Sequence, residues 1–476
     1  MNPKLSTQES QAPFRPSMTI APDWVKDALF YQIFPERFAN GDTSNDPDHV
    51  EPWGATPKGN NYFGGDIRGI IDHLDYITDL GANTIYLNPV FASPSNHKYY
   101  TSDYLKIDPA FGTNELFRQF IIECHRRNIR VVIDGVFNHT GVEHWAFQDI
   151  VRNERASKYF GWYNVYSFPV SLPPKKPNYE CWWNFGRLPK LMVEHPDVKA
   201  HLFEVTRYWT SMGIDGWRLD VPNEIPHAFW REWRTLVKSL NPECYIVGEI
   251  WTEADPWLKG DEFDAVMNYQ FRDACLDFFC RGKILPSEFD KRLSHTRALY
   301  QGDINYALQN LVGSHDTERY LTLCNKETWR VQLTALFQFA YIGAPMVYYG
   351  DEIGMEGGKD PDCRRTMIWD EAAWDGSLRA YFKNLIAARA GSLALRRGTF
   401  TMHATDDARG AFLFERRFQD ERLLVAINRG GQPTDLDVPT DVRGERYVDV
   451  MTKEKVSLVN GRLHVAGHSG RIVSLA

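Results

Sequence analysis

No run of 18 or more apolar residues occurs anywhere in the 476-residue chain, which excludes a membrane-spanning helix. The opening stretch MNPKLSTQESQAPFRPSMTIAP lacks the charged n-region, apolar core and small-residue cleavage site of a secretory signal. Dense basic runs are missing as well. Fifty-four Lys+Arg face 62 Asp+Glu, a formal charge of -8, so neither a nucleic acid nor a membrane surface is expected as a partner. Cysteine is sparse: Cys124, Cys181, Cys244, Cys275, Cys280, Cys324 and Cys363 are odd in number and unpaired in spacing. That argues against a disulfide framework and reads as reduced core thiols. These absences together predict a soluble, cytoplasmic protein. HExxH and CxxC are also absent, and His139 and His144 alone, five apart, do not make a zinc site.

What is present is apolar payload and rings. Hydrophobic residues are 43% of the chain and aromatics 14%, with 15 Trp, which suits a large globular core. At roughly 150 residues per domain the length sets about three domains, although one α/β barrel can absorb 250 or more. Eight short β-rich runs can be counted: 28–34, 83–90, 130–137, 214–220, 244–250, 263–269, 306–312 and 344–350. Between them lie segments of helical period at 67–80, 114–128, 197–212, 227–240, 286–300 and 327–341. This alternation predicts an α/β fold, a (β/α)8 barrel. No GxGxxG turn or Walker loop supports a doubly wound sheet instead.

The stretch 138–196, rich in Pro, Trp, Tyr and Asn without period, is too long for a βα loop and predicts an inserted subdomain after the third strand, overhanging the barrel mouth. Beyond about 397 the helical signal gives way to alternation, with Asn460-Gly461 as a two-residue turn signal, so a C-terminal antiparallel β-sandwich is expected over 398–476. Residues 1–22, with Pro13, Pro16 and Pro22, read as a tail, leaving the barrel to 23–397.

Barrel enzymes place their chemistry at the carboxyl ends of strands, and polar residues stand there: Asn138, His139, Arg218, Asp220, Glu249, His315 and Asp316. Any single Asp at a strand end could simply cap the next helix. Three carboxylates converging on one mouth are not easily explained that way. Arg218 precedes Asp220 by two residues, so both point to the same side of a strand, and the guanidinium is expected to hold that carboxylate ionised, as a nucleophile requires. Glu249 lies between Val247-Gly248 and Ile250-Trp251, surroundings expected to raise its pKa and keep it protonated as an acid. Ser314-His315-Asp316 is no hydrolytic triad, because adjacent residues on an extended chain cannot aim at one another.

At these residues the sequence resembles the α-amylase superfamily, glycoside hydrolase family 13, from about Trp24 to the end. VVIDGVFNH (131–139), GIDGWRLDV (213–221), IVGEIW (246–251) and VGSHDTER (312–319) occur in family order on the predicted strands. The resemblance implies that Asp220 is the nucleophile, Glu249 the general acid/base and Asp316 a third carboxylate holding sugar hydroxyls. His139, Arg218 and His315 would bind the sugar at the cleavage point, with Tyr99 of NHKYYTSDY stacked beneath it. A retaining glycosidase needs such a carboxylate pair about 5–5.5 Å apart, which two adjacent strands can provide. Trp182, Trp183 and Trp251 suit stacking on apolar sugar faces, the competing reading being plain core.

Three segments resemble the cyclomaltodextrinase, neopullulanase and maltogenic amylase branch. DVPNE (220–224) matches its pattern after the nucleophile and implies sugar contacts from Asn223 and Glu224. GDEIGMEGGKDPDCRRTMIWD (350–370) implies that Asp360 and Arg364 contact the sugar two sites from the cleavage point. LPKLM (188–192) resembles the branch's MPKLN with two changes. ANGDTSND (39–46) with FGGD (63–66) looks like the branch's calcium site, implying Ca2+ ligands from Asn40, Asp42, Asn45, Asp46, Gly64 and Asp66. Hard oxygen donors at alternating loop spacing suit calcium, and an Asx-rich turn without metal is the alternative. The branch usually carries an extra N-terminal β domain; only 22 residues precede the barrel here, so a monomer, or a homodimer formed without such a domain, is expected. The resulting expectation is a retaining hydrolase of α-1,4 bonds in cyclic or short maltodextrins. An α-glucan transglycosylase and a noncatalytic sugar-binding barrel are its rivals.

Overall fold

Eight short parallel strands, nearly every residue of them buried, form the centre of the protein, whose computed structural model describes residues 21–443 and 447–475. They are β1 (Phe30–Ile33), β2 (Thr84–Leu87), β3 (Arg130–Gly135), β4 (Gly216–Leu219), β5 (Tyr245–Gly248), β6 (Ala265–Val266), β7 (Gln309–Asn310) and β8 (Ala344–Tyr348). Each pairs in parallel with its sequence neighbour, β8 returns to β1, and a bridge between Met267 and Gln309 joins β6 to β7. The sheet is therefore a nearly closed barrel. Both faces of its strands are covered, which is why they read as continuous apolar runs.

The runs 263–269 and 306–312 are the least strand-like. Only two residues of each hold strand geometry, and Ile304–Ala307 is a helical turn. Side-chain amides take over from the backbone ladder here: Asn268 Nδ2 donates to Asn310 Oδ1 at 2.8 Å, Asn310 Nδ2 to the Ile342 carbonyl at 2.7 Å, and Gln338 Nε2 to the carbonyls of Asn310 and Met346. Such bonds satisfy buried backbone groups that a two-residue strand leaves open.

The expected helices form at Asn114–Arg126, Pro196–Met212, His227–Leu240, Pro286–Leu299 and Thr328–Ala340, while the segment 67–80 breaks at His73 into two. Pro196–Met212 starts with Pro at its first position and stops at Gly213, φ 111°, a conformation that costs glycine little. Its Trp209 is fully buried against Phe91, and Trp217, Trp230 and Trp233 are likewise enclosed, so these four tryptophans serve the core rather than sugar. Replacing one by alanine is worth about 3–5 kcal/mol.

Between β3 and Pro196–Met212 the chain leaves the barrel. It carries the helix Trp145–Asn153, several single turns and isolated antiparallel bridges such as His139 with Lys190 and Cys181 with Pro189. At the far end a six-stranded antiparallel sheet and a two-stranded one enclose a second core around Leu413, Leu424, Leu463 and Val473. Asn460 and Gly461 both have positive φ, as their turn requires, and Val459 bridges Arg462 across it; beyond that bridge Arg462–Val465 pairs with Thr434–Asp437. All seven cysteines are free thiols, six of them buried. Among the described residues no helix is long and apolar enough to cross a membrane. Of the tail expected over 1–22, residues 1–20 lie outside the described residues, and Ala21 is buried.

Candidate active site

The register of β3 and β4 sets Asp134 directly opposite Arg218, and the two-residue period of β4 sends Asp220 to the same side as Arg218. Arg218 is fully buried. Its Nη1 lies 3.0 and 2.9 Å from the two Asp134 oxygens and 2.9 Å from Asp220 Oδ1, and its Nη2 lies 2.8 Å from Glu249 Oε2. One guanidinium thus holds three carboxylates from the ends of three adjacent strands. Asp134 also accepts from the hydroxyls of Tyr86, at 2.9 Å, and Tyr99, at 3.0 Å.

This sharing bears on the charge of each carboxylate. Burial and the charges of Glu249, Asp134 and Asp316 push the Asp220 carboxyl well above its ordinary range, against the pull of Arg218. Arg218 pulls Asp220 toward its ionised form but shares its single charge with Asp134 and Glu249. Glu249 is raised, as expected, by burial and Asp316, with Arg218 and Trp251 pulling the other way. Asp134 is pushed up to about 6, chiefly by burial. With more carboxylates than cations, the cluster favours proton retention on one of its members, the arrangement an acid beside a nucleophile needs.

Asp316 lies across the mouth, 3.1 Å from His315 Nε2 and 3.2 Å from Arg364 Nη2. Arg364 also reaches Asp360 at 3.1 Å and the His315 carbonyl at 2.8 Å. The Tyr99 hydroxyl is 2.7 Å from His315 Nε2, and the two rings are parallel within 6°. Gln32 Nε2 contacts His315 Nδ1 at 2.9 Å and fixes the ring from behind. Burial drives His315 far below its ordinary pKa and His139 down to about 3, so both imidazoles are neutral at pH 7. His139 Nε2 is buried without a partner, a donor or acceptor left for a ligand.

Tyr99, His139, Asp220, Asn223, Glu224, Glu249, Trp251, Asp316, Asp360 and Arg364 line one cavity of about 690 Å³. Arg218 and His315 do not line it but sit behind the residues that do. Trp182 stacks on Trp183 with centroids 4.9 Å apart and extends from the His139 ring to the outer rim, where Trp183 is 71% exposed. Both indoles donate to Glu224 Oε1, at 3.1 and 3.2 Å, and Lys190 holds the other oxygen at 3.3 Å. Sequence reasoning missed Asp134, Tyr86, Tyr269 and the role of Lys190. An acid inside the apolar run 130–137 was the available signal for Asp134.

The loop 40–66 lies apart from the cavity. Asn40 Oδ1 and Asn45 Oδ1 are buried without hydrogen-bond partners, as oxygens facing a cation would be. Gly64, φ +80°, has no room for a Cβ beside Asp46 Oδ1 and Asn40 Nδ2. Asp66 is otherwise engaged: its oxygens accept from the backbone N–H of Gly41, Asp42 and Gly69 and from Asn45 Nδ2. Asp42 Oδ1 accepts from Ser44. No group of three or more His, Cys, Asp or Glu able to hold a metal occurs among the described residues, so any site here must draw amide and carbonyl oxygens in beside its carboxylates.

A barrel that gathers three carboxylates and neutral histidines around a sugar-sized cavity is of the carboxylate-dependent glycosidase class. Residues 32–389 match the family described as alpha amylase, catalytic domain, and residues 400–472 that described as maltogenic amylase, C-terminal domain. The chain belongs to the alpha-amylase family of glycoside hydrolases. It is 48% identical to a cyclomaltodextrinase of Geobacillus thermopakistaniensis over 437 residues, 91% of this chain and 74% of that protein. It is 41% identical to an intracellular maltogenic amylase of Bacillus subtilis over 413 residues, 86% of this chain and 70% of that protein. The cyclic α-maltosyl-(1→6)-maltose hydrolase of Arthrobacter globiformis, solved in complex with that cyclic sugar, superposes with a TM-score of 0.89 at 43% identity over 95% of this chain and 99% of that one.

Proposed function

We propose that this protein is a retaining hydrolase of α-1,4-glucosidic bonds in cyclic or short linear maltodextrins, releasing mainly maltose and glucose. The observation that carries the reading is Asp220 and Glu249 held on the two terminal nitrogens of one buried guanidinium, a short tether that suits a nucleophile and an acid acting on one bond. Asp220 attacks the anomeric carbon as Glu249 gives its proton to the leaving oxygen. Glu249 then takes a proton from water, which displaces Asp220 and frees the sugar. Asp316, fixed by Arg364 and His315, accepts bonds from sugar hydroxyls, and Tyr99 with His139 seats the ring. The exposed face of Trp183 offers an acceptor sugar a platform, so some transfer accompanies hydrolysis.

Similarity to the Arthrobacter enzyme along almost the whole of both chains favours a small ring as substrate. Rates on β-cyclodextrin, cyclic maltosyl-maltose, pullulan, maltotriose and starch test this: a higher kcat/KM on either small ring is expected, and preference for starch overturns it. Asp220→Ala abolishes turnover on all of them if Asp220 is the nucleophile; retained activity refutes the assignment.

Calcium is the ion we assign to the loop 40–66. Asn40 Oδ1, Asn45 Oδ1, Asp46, the free oxygen of Asp42 and the Gly64 carbonyl would hold it, with Asp66 shaping the loop through its four hydrogen bonds. When bound it ties the loop to the barrel and takes no part in the chemistry. A cytoplasmic location fits the unpaired cysteines and the intracellular Bacillus subtilis relative.

A further inference from the structure

Trp251, two residues past Glu249, is 47% exposed, yet its polar edge turns inward: Nε1 lies 3.2 Å from Glu249 Oε1. The indole lies flat on Tyr269, with centroids 3.8 Å apart and planes within 14°. Tyr269 is buried at the start of the helix Tyr269–Cys275, and its hydroxyl is a long 3.5 Å from the same oxygen. An indole N–H can donate but never accept, and donation to an ionised carboxylate is roughly twice as strong as to a neutral group. The contact therefore favours the base form of Glu249.

We propose that Trp251, aimed by its stack on Tyr269, is a positioning residue that sets the pH at which Glu249 turns from acid to base. The proposal deepens the reading above and rests on Glu249 being the acid/base. The other groups facing Glu249 are Arg218 on its Oε2, the backbone N–H of Val221, Asp220 at the end of β4, Asp134 of β3 and Tyr86 of β2 behind Arg218, and Asp316 from the loop after β7. Most of these belong to the reaction centre or its core. Trp251 alone combines a direct bond to Oε1 with a half-exposed position where substitution leaves the core intact.

The test is the pH profile of kcat/KM on the preferred glucan. Trp251→Phe keeps a ring on Tyr269 and removes the N–H, so the alkaline limb is expected to move up by about one pH unit. Tyr269→Leu removes the stack and should move the limb the same way by less, whereas Tyr269→Phe keeps the stack and should leave it near wild type. An unmoved limb in Trp251→Phe, with kcat/KM lowered evenly at every pH, overturns the proposal. A shift in Tyr269→Phe equal to that in Trp251→Phe overturns it too, since the phenol would then be the tuning donor. Thermal melts identify misfolded variants, and Trp251→Phe, at a half-exposed wall of the cavity, decides the matter without Tyr269→Leu. Wild-type protein inactive on every glucan refutes the role of Glu249 itself, an outcome distinct from active wild type with an unmoved limb.

Discussion

Arg218 makes the ionisation of Asp220, Glu249 and Asp134 a common property, and Asp134 is the member that does not line the cavity. Its negative charge is among the causes that raise Asp220. Asp134→Asn removes that repulsion and leaves more of Arg218 to Asp220, so Asp220 loses its proton at lower pH. The acid limb of kcat/KM should therefore move to lower pH, read from initial rates between pH 4 and 7. An unchanged or raised acid limb would contradict the shared-cation account. Asp220 and Glu249 were legible as candidates because each directly follows an apolar strand, and Asp316 because it closes the segment after the seventh apolar run. The division of Arg218 was not, since it depends on Asp134 facing Arg218 across two strands whose register no local pattern reveals.

Elements around the mouth are held by ionic anchors of their own. The loop that delivers Tyr99 passes through Lys98, φ 63°, whose ammonium is buried 3.0 Å from Asp108 and 4.9 Å from the centre of the Phe111 ring. Asp108→Asn leaves that ammonium without its carboxylate, at a cost of about 3–5 kcal/mol, so the thermal midpoint should fall and KM rise as Tyr99 loses its seat. The loop 40–66 makes a second prediction. After chelation, added Ca2+ should raise the unfolding midpoint, by the equivalent of about 2.7 kcal/mol at a hundredfold excess over Kd, and Asp46→Ala should abolish the rise. The helices expected from the sequence form nearly to the residue because period and caps are local, as with Pro196 and Gly213, whereas Trp145–Asn153 and Gly376–Ala390 were not among them. The sixth and seventh strands were overread because apolar runs there belong to turns and a helical start as well as to strand.

For the molecule as a whole, the junction of barrel and C-terminal sheet is a hydrophobic weld. Phe412 of the C-terminal sheet is fully buried against Phe278, Phe289 and Phe337 of the barrel helices, and buried Arg416 donates to the carbonyls of Ala340, Gly398 and Thr399. Phe412→Ala should cost about 3–5 kcal/mol and lower one shared calorimetric transition. A second, separate transition would mean that the two parts fold apart. The amide stitching between β6 and β7 bears on a different hazard. A sheet of eight strands left open presents two unpaired edges to which other chains can add, and closure abolishes both. Here closure depends on one backbone bridge and the side chains of Asn268, Asn310 and Gln338, so these uncharged residues, with no part in proton transfer, are what keep the barrel from offering an edge to its neighbours.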